Sequence, residues 1–288
     1  MLEKVKINTK KLLLEIKSKE AKKVFNNAST APEWLDRQEL EHLQKKYPVK
    51  TTWQKYEQDT EKLYTIPDTK GANRVISSLN QTTKPLSFLE LGCQHGMTSY
   101  ALRLAGHNTT AIDIDSDNFS PVAKSQGVEF HHMDAKALTF ADESFDCLFS
   151  FNAFEHMDDP EQSLSEAIRV VKKSGYIYLN FNPLYMSPWG LHSWLELAIP
   201  YTAMLFSPDM LRSVVKSKHL WYCNGWSCQA YRDLWQKYSE QLSILKYQEI
   251  VNPFHLDMIV KYPSCFKSKT DCFDDLCVEG IEILFQKK

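Results

Sequence analysis

Gly92 and Gly96 stand four residues apart in Phe88-Leu-Glu-Leu-Gly-Cys-Gln-His-Gly96, and Asp113 sits within the later run Ala111-Ile-Asp-Ile-Asp115. Small residues at a strand-to-helix turn let the backbone approach a ligand closely. An acid at the tip of the next strand, about twenty residues on, can accept both hydroxyls of a ribose. The pattern predicts a nucleoside pocket. It also excludes one large class of nucleoside ligand, because a dinucleotide fingerprint needs glycines at its first, third and sixth positions. Counting from Gly92, those positions hold Gln94 and Met97, so there is no pyrophosphate turn.

The same residues fit an E/D-x-G-x-G-x-G turn whose middle glycine is replaced by Gln94. Further segments follow in order: Val128-Glu-Phe-His-His-Met-Asp-Ala135, Leu138-Thr-Phe-Ala-Asp-Glu-Ser-Phe-Asp146 and Asn152-Ala-Phe-Glu-His-Met-Asp-Asp-Pro160. With these the chain resembles the class I S-adenosylmethionine-dependent methyltransferases. The resemblance implies S-adenosylmethionine as cofactor and assigns Glu90, Gly92 and Gly96 to its methionine end, with Gln94 in the same turn. It further implies that Asp113 takes the ribose hydroxyls, Ile114 packs on the adenine, Asp134 and Ala135 read the adenine edge, and Asn152 lines the pocket near the sulfonium. The implied activity is methyl transfer to an oxygen, nitrogen or carbon of a small molecule. A non-catalytic binding protein of the same fold, or a protein or nucleic-acid methyltransferase, stands as the alternative.

An activated methyl group needs a nucleophile held in line and, for some acceptors, a base. Glu155 and His156 lie beside the expected sulfonium end, and either could take a proton; His156 can equally be a loop residue positioning the next helix. His192, in Ser187-Pro-Trp-Gly-Leu-His-Ser-Trp194, is the third candidate for catalysis. Together with Tyr185, Trp189 and Trp194 it forms the expected acceptor wall, since rings there could enclose a substrate. No metal is expected. Asn182-Pro-Leu-Tyr185 resembles the N-P-P-Y box of amino-methyltransferases acting on bases. That box follows a fourth strand, whereas this one is expected after a fifth, so the reading is a minor one.

The elements that must position these residues follow from apolar runs and turn signals. Strands are expected at Ser87 to Leu91, Thr109 to Ile114, Glu129 to His132, Phe145 to Phe151 and Gly175 to Asn182. Two more are expected at Ser243 to Val251 or Leu256 to Tyr262, and at Val278 to Gln286. Helices are expected over Met97 to Ala105, Pro121 to Lys124 and Glu161 to Lys172. The last carries Leu164, Ala167, Ile168 and Val171 on its sheet-facing stripe. Upstream, Thr30-Ala-Pro-Glu33 has capping-box spacing and predicts a helix that turns Trp34, Leu35, Leu40 and Leu43 inward. Another is expected from about Lys70 into Leu79.

The fold class is α/β: a Rossmann-like, doubly wound, mostly parallel seven-stranded sheet. Residues 1–85 are expected as an N-terminal helical extension, with Tyr47, Tyr56, Asp59 and Arg74 at the pocket edge if it packs as a lid. Residues 86–288 form the cofactor-binding domain, with 184–247 as an α-helical, aromatic insertion on the substrate side.

Composition agrees with one large α/β domain with additions. The chain has 288 residues, 43% of them hydrophobic, and a formal net charge of -2, which offers no global attraction to nucleic acid. The first 25 residues carry eight lysines against three glutamates, read as a solvated helix face. Seven cysteines without a visible signal peptide point to a reducing compartment, the cytoplasm, and to free thiols. Cys223, Cys228, Cys265, Cys272 and Cys277 contain no C-x-x-C pair, which argues against structural zinc. The longest uncharged run, Ser174 to Leu195, is broken by Pro183, Pro188 and Gly190 and is not a membrane span.

Overall fold

The computed structural model describes residues 15–51, 55, 62–79, 85–215 and 223–288. Tyr56 and Asp59 lie outside them. The chain divides into two compact units. One comprises Trp53–Asn182, Ala230–Glu249 and Gly280–Lys288, the other Met1–Thr52, Pro183–Gln229 and Ile250–Glu279.

Seven strands make one sheet: β1 (Ser87–Leu91), β2 (Asn108–Asp113), β3 (Glu129–His132), β4 (Phe145–Phe151), β5 (Val171–Phe181), β6 (Leu242–Val251) and β7 (Val278–Lys287). The spatial order is β3-β2-β1-β4-β5-β7-β6. β1 pairs in parallel with β2 and β4, β2 with β3, and β4 with β5, whereas β7 runs antiparallel to β5. β1 is central and apolar on both faces: Phe88, Leu89 and Leu91 are fully buried. The chain order reverses between β1 and β4, and such a switch opens a crevice beyond the strands' carboxyl ends. This is the doubly wound sheet expected from the sequence.

Within this unit the helices Thr69–Ser78 and Met97–Leu104 place Ala72, Val75, Ala101 and Leu102 in a core with Phe88, Phe149 and Tyr178. Phe154, Phe181, Tyr231, Trp235 and Phe285 form a second group of rings in mutual contact. The helix Pro160–Val170 starts on Asp159, whose carboxylate accepts the Gln162 N–H, and its Leu164 and Ala167 are buried.

β5 begins at Val171, four residues before the expected Gly175. Its first residues are displaced from β4 by a register shift between Phe145 and Cys147, and Ser174 turns through φ +60°. The alternative last strand, Leu256 to Tyr262, is a helix, Leu256–Lys261. A short apolar run carries no reliable period, and His255 enters the helix at φ +67°.

The other unit has its own core, which includes Phe25, Leu40, Leu43, Tyr201, Phe206, Ile259, Phe266 and Leu276. Its helix Arg37–Lys46 starts seven residues after Thr30. Asp36 is the cap, accepting the Glu39 N–H at 2.9 Å, and an aspartate immediately before the apolar stripe displaces the threonine signal. Leu40 and Leu43 point inward as expected. Trp34 is 42% exposed, precedes the helix and lies 3.7 Å beneath the Lys269 ammonium. Tyr47 also belongs here, its ring meeting His255 edge-on at 6.1 Å. No helix among the described residues is long and apolar enough to cross a membrane.

Candidate cofactor site

β1 delivers its chain to the glycine turn with Leu91 buried, and three residues of the next five take positive φ: Gly92 (+65°), Gln94 (+46°) and Gly96 (+66°). A Cβ on Gly92 would lie 2.3 Å from the Ala153 Cβ, and one on Gly96 would lie 2.5 Å from the Phe130 ring. Glycine is thus required at both places by conformation and by space. Gln94 adopts a left-handed conformation, which a glycine would take without strain. Its backbone N–H donates to Asp113 Oδ2 at 2.8 Å, an anchor that offsets the cost of a left-handed non-glycine residue, while its side chain is exposed.

Asp113 ends β2, level with His132 of β3. Its other oxygen accepts the Asp115 N–H at 3.0 Å. A carboxylate offers about four lone-pair sites, so two remain for a pair of hydroxyls. Next to it Ile114 is 69% exposed, an apolar ledge, and its carbonyl is held by His132 Nε2 at 2.9 Å. The β3 end brings Asp134 alongside, because the Met133 N–H donates to the Asp113 carbonyl at 2.9 Å. Asp134 is exposed, and its Oδ1 accepts the Lys136 N–H at 2.9 Å; Ala135 is buried.

Glu90 is buried in β1 and accepts two hydrogen bonds from Ser99, at 3.1 Å from N–H and 2.6 Å from Oγ. Burial pushes its carboxyl up to about 7; the Ser99 bonds oppose this, and the charges of Asp68 and Asp113 add to it.

Asn152 follows β4 at φ +48°. Its N–H donates to the Asn180 carbonyl at 2.9 Å, and its Oδ1 accepts from Asn182 Nδ2 at 3.1 Å. Asn182 therefore follows the fifth strand, as the spacing required. The nine residues expected around a cofactor thus all lie in one unit, at or just beyond the carboxyl ends of β1 to β4.

Residues 89–179 match the family described as a methyltransferase domain. Over these residues the chain is similar to a methyltransferase domain, in keeping with the resemblance read from its sequence. A ubiquinone biosynthesis O-methyltransferase of Pseudomonas putida strain W619 is 28% identical over 137 residues, 39% of this chain and 58% of that protein. An uncharacterized methyltransferase of Mycobacterium tuberculosis H37Ra is 29% identical over 109 residues, 37% of this chain and 42% of that protein. The chain thus spans about half the length of these relatives. A solved structure, a putative S-adenosylmethionine-dependent methyltransferase from Listeria monocytogenes, superposes with a TM-score of 0.50. It is 11% identical and covers 77% of this chain and 100% of that one, a likeness of fold.

The glycine turn meets residues that the sequence reading did not single out. His95 stacks on Tyr64, ring centroids 3.9 Å apart, and burial lowers its pKa. Asp68 accepts the Thr98 hydroxyl at 3.2 Å, and its N–H donates to the Met97 carbonyl at 2.9 Å, which clamps the segment before the Thr69–Ser78 helix onto the turn. His95 sits inside the motif and was open to notice; nothing local marks Tyr64 or Asp68. Arg74, expected at the pocket edge, donates to Asn180 Oδ1 at 3.3 Å and lies over the Phe151 ring.

Glu155 is 1% exposed, and among the described residues neither carboxyl oxygen completes a hydrogen bond. The backbone N–H groups of Glu155 and Asn182 oppose the effect of burial without reaching bonding geometry, and the carboxyl is pushed up to about 8. His156 Nε2 lies 3.9 Å from Glu155 Oε1. A carboxyl raised in the folded state contributes stability that is complete below its unfolded value near 4.5 and is lost as pH climbs toward 8. Glu155→Gln is therefore expected to flatten the fall of melting temperature between pH 5 and 9, and to raise it by about 4 °C or more at pH 8.5. Calorimetric melts of both proteins across that range check it; parallel curves would place the ionised carboxylate in a solvated setting.

Tyr185, Trp189, His192 and Trp194 belong to the other unit. Burial raises the Tyr185 phenol, Trp189 meets His255 edge-on at 5.5 Å, and Trp194 is 38% exposed. His192 has φ +53°, and its Nδ1 lies 3.5 Å from Cys223 Sγ.

Proposed function

We propose that this protein is a methyltransferase that binds S-adenosylmethionine and methylates a small molecule. The observation that carries the reading is Asp113, anchored by Gln94 and Asp115 and left with capacity for two hydroxyls at the carboxyl end of β2. The fit extends along the crevice. Gly92, Gln94 and Gly96 would face the methionine end, Ile114 the adenine face, Asp134 and Ala135 the adenine edge, and Asn152 the sulfonium region. The acids Glu90, Asp68 and Asp113 suit a ligand that carries positive charge on sulfur and nitrogen. When bound, S-adenosylmethionine supplies the methyl group in activated form.

The chain's own part is orientation, exclusion of water and handling of one proton. Glu155, held neutral by burial at pH 7, enters as a hydrogen-bond donor, and the neighbouring imidazole of His156 is the base in this reading. The relatives named as ubiquinone biosynthesis O-methyltransferases favour an oxygen nucleophile.

The test is incubation with methyl-labelled S-adenosylmethionine and a fractionated cell extract. Label in a low-molecular-weight product is the expected outcome. Label confined to protein or nucleic acid would replace the small-molecule reading with a macromolecular one. Folded protein that binds neither S-adenosylmethionine nor S-adenosylhomocysteine by calorimetry would end it.

A further inference from the structure

None of the seven cysteines is in a disulfide among the described residues, and they fall into two groups. Cys93, Cys147, Cys228, Cys265 and Cys277 are buried; Cys223 and Cys272 are partly open. Burial raises the thiols of Cys93 and Cys147 far above the ordinary range, Cys265 to about 11 and Cys277 to about 12. Such groups are inert at neutral pH, since the thiolate is the nucleophile.

Cys223 differs from Cys272 in its neighbour. His192 Nδ1 stands 3.5 Å from Cys223 Sγ, within the range of a sulfur hydrogen bond. The imidazole is set there by the turn 189–192, in which the His192 N–H donates to the Trp189 carbonyl at 2.9 Å. Burial, and then the neighbouring Cys223, raise the Tyr185 phenol. Cys272 has no imidazole contact among the described residues; its polar neighbour is Thr270, whose Oγ1 accepts the Cys272 N–H.

We propose that Cys223 and His192 form a thiolate–imidazolium pair, and that Cys223 is a modification site for low-molecular-weight disulfides. The thiol proton passes to His192, and the Cys223 sulfur attacks one sulfur of R–S–S–R. The new bond is Cys223–S–S–R, the old S–S bond breaks, and the departing RS⁻ takes the proton back from His192. The exchange oxidises Cys223 and reduces one half of the disulfide. This site stands whether or not the protein transfers methyl groups.

The full chain is exposed to oxidised glutathione at pH 7, and adducts are quantified at each cysteine by peptide mass mapping. An ordinary thiol is only about 3% ionised at pH 7, so pairing with an imidazole is expected to make Cys223 react about tenfold faster than Cys272. His192→Gln should slow Cys223 about tenfold and move its rate–pH profile toward that of an ordinary thiol, leaving the Cys272 rate unchanged. That last rate also reports that the variant is folded, and Cys223→Ser should remove the fast adduct altogether. Equal rates at Cys223 and Cys272 in the parent protein, or an unchanged Cys223 profile in a folded His192→Gln variant, would overturn the proposal.

Discussion

Replacing Asp113 by alanine is expected to weaken binding of S-adenosylhomocysteine more than a hundredfold. Two losses combine. The carboxylate accepts the Gln94 N–H at 2.8 Å and the Asp115 N–H at 3.0 Å, so its removal frees the turn that Gln94 keeps in a left-handed conformation. The ribose would lose a charged acceptor for two hydroxyls as well. Hydrogen bonds to a charged group are worth about 1.5–3 kcal/mol each, and two of them exceed the roughly 2.7 kcal/mol that a hundredfold requires. Asp113→Asn keeps one acceptor oxygen and should fall between the two. Isothermal titration calorimetry on proteins with matched melting curves measures the series. Normal affinity in the alanine variant would put the adenosyl site elsewhere.

The order of strand, turn, helix and strand around this site was legible because each signal is local. Buried runs such as Phe88 to Leu91, a turn of small residues and the acid at Asp113 all lie within a short stretch of chain. Gln94 shows where legibility stopped. The sequence marked it as a departure from glycine, but its positive φ and its bond to Asp113 depend on β2 lying beside β1. Tyr64 and Asp68 reach the turn from some thirty residues upstream through tertiary contacts, which no periodicity encodes. Thr30 carried the capping-box spacing, yet the helix starts on Asp36, where Leu40 and Leu43 pack inward, and that packing is not encoded in the spacing. The burial of Glu155 without a hydrogen-bond partner among the described residues was equally out of reach, since it depends on tertiary packing.

The glycine turn admits a sharper test than loss of function, because one of its two constraints can be removed separately. Gly92→Ala is expected to destabilise the protein and abolish cofactor binding. A left-handed non-glycine residue costs about 1–2 kcal/mol. The added methyl would also lie 2.3 Å from the Ala153 Cβ, a distance that forces the β1 and β4 ends apart. Ala153→Gly in the same chain removes that methyl's obstacle and leaves the backbone penalty. The double variant should therefore regain most of the lost melting temperature and part of the affinity for S-adenosylhomocysteine, while Ala153→Gly alone lowers stability slightly. A double variant no better than Gly92→Ala would mean that conformation, not contact with Ala153, fixes glycine at this position. The crevice at the ends of β1 and β4 would then tolerate movement, and the specificity of the site would rest on Asp113 and the Gln94 backbone instead.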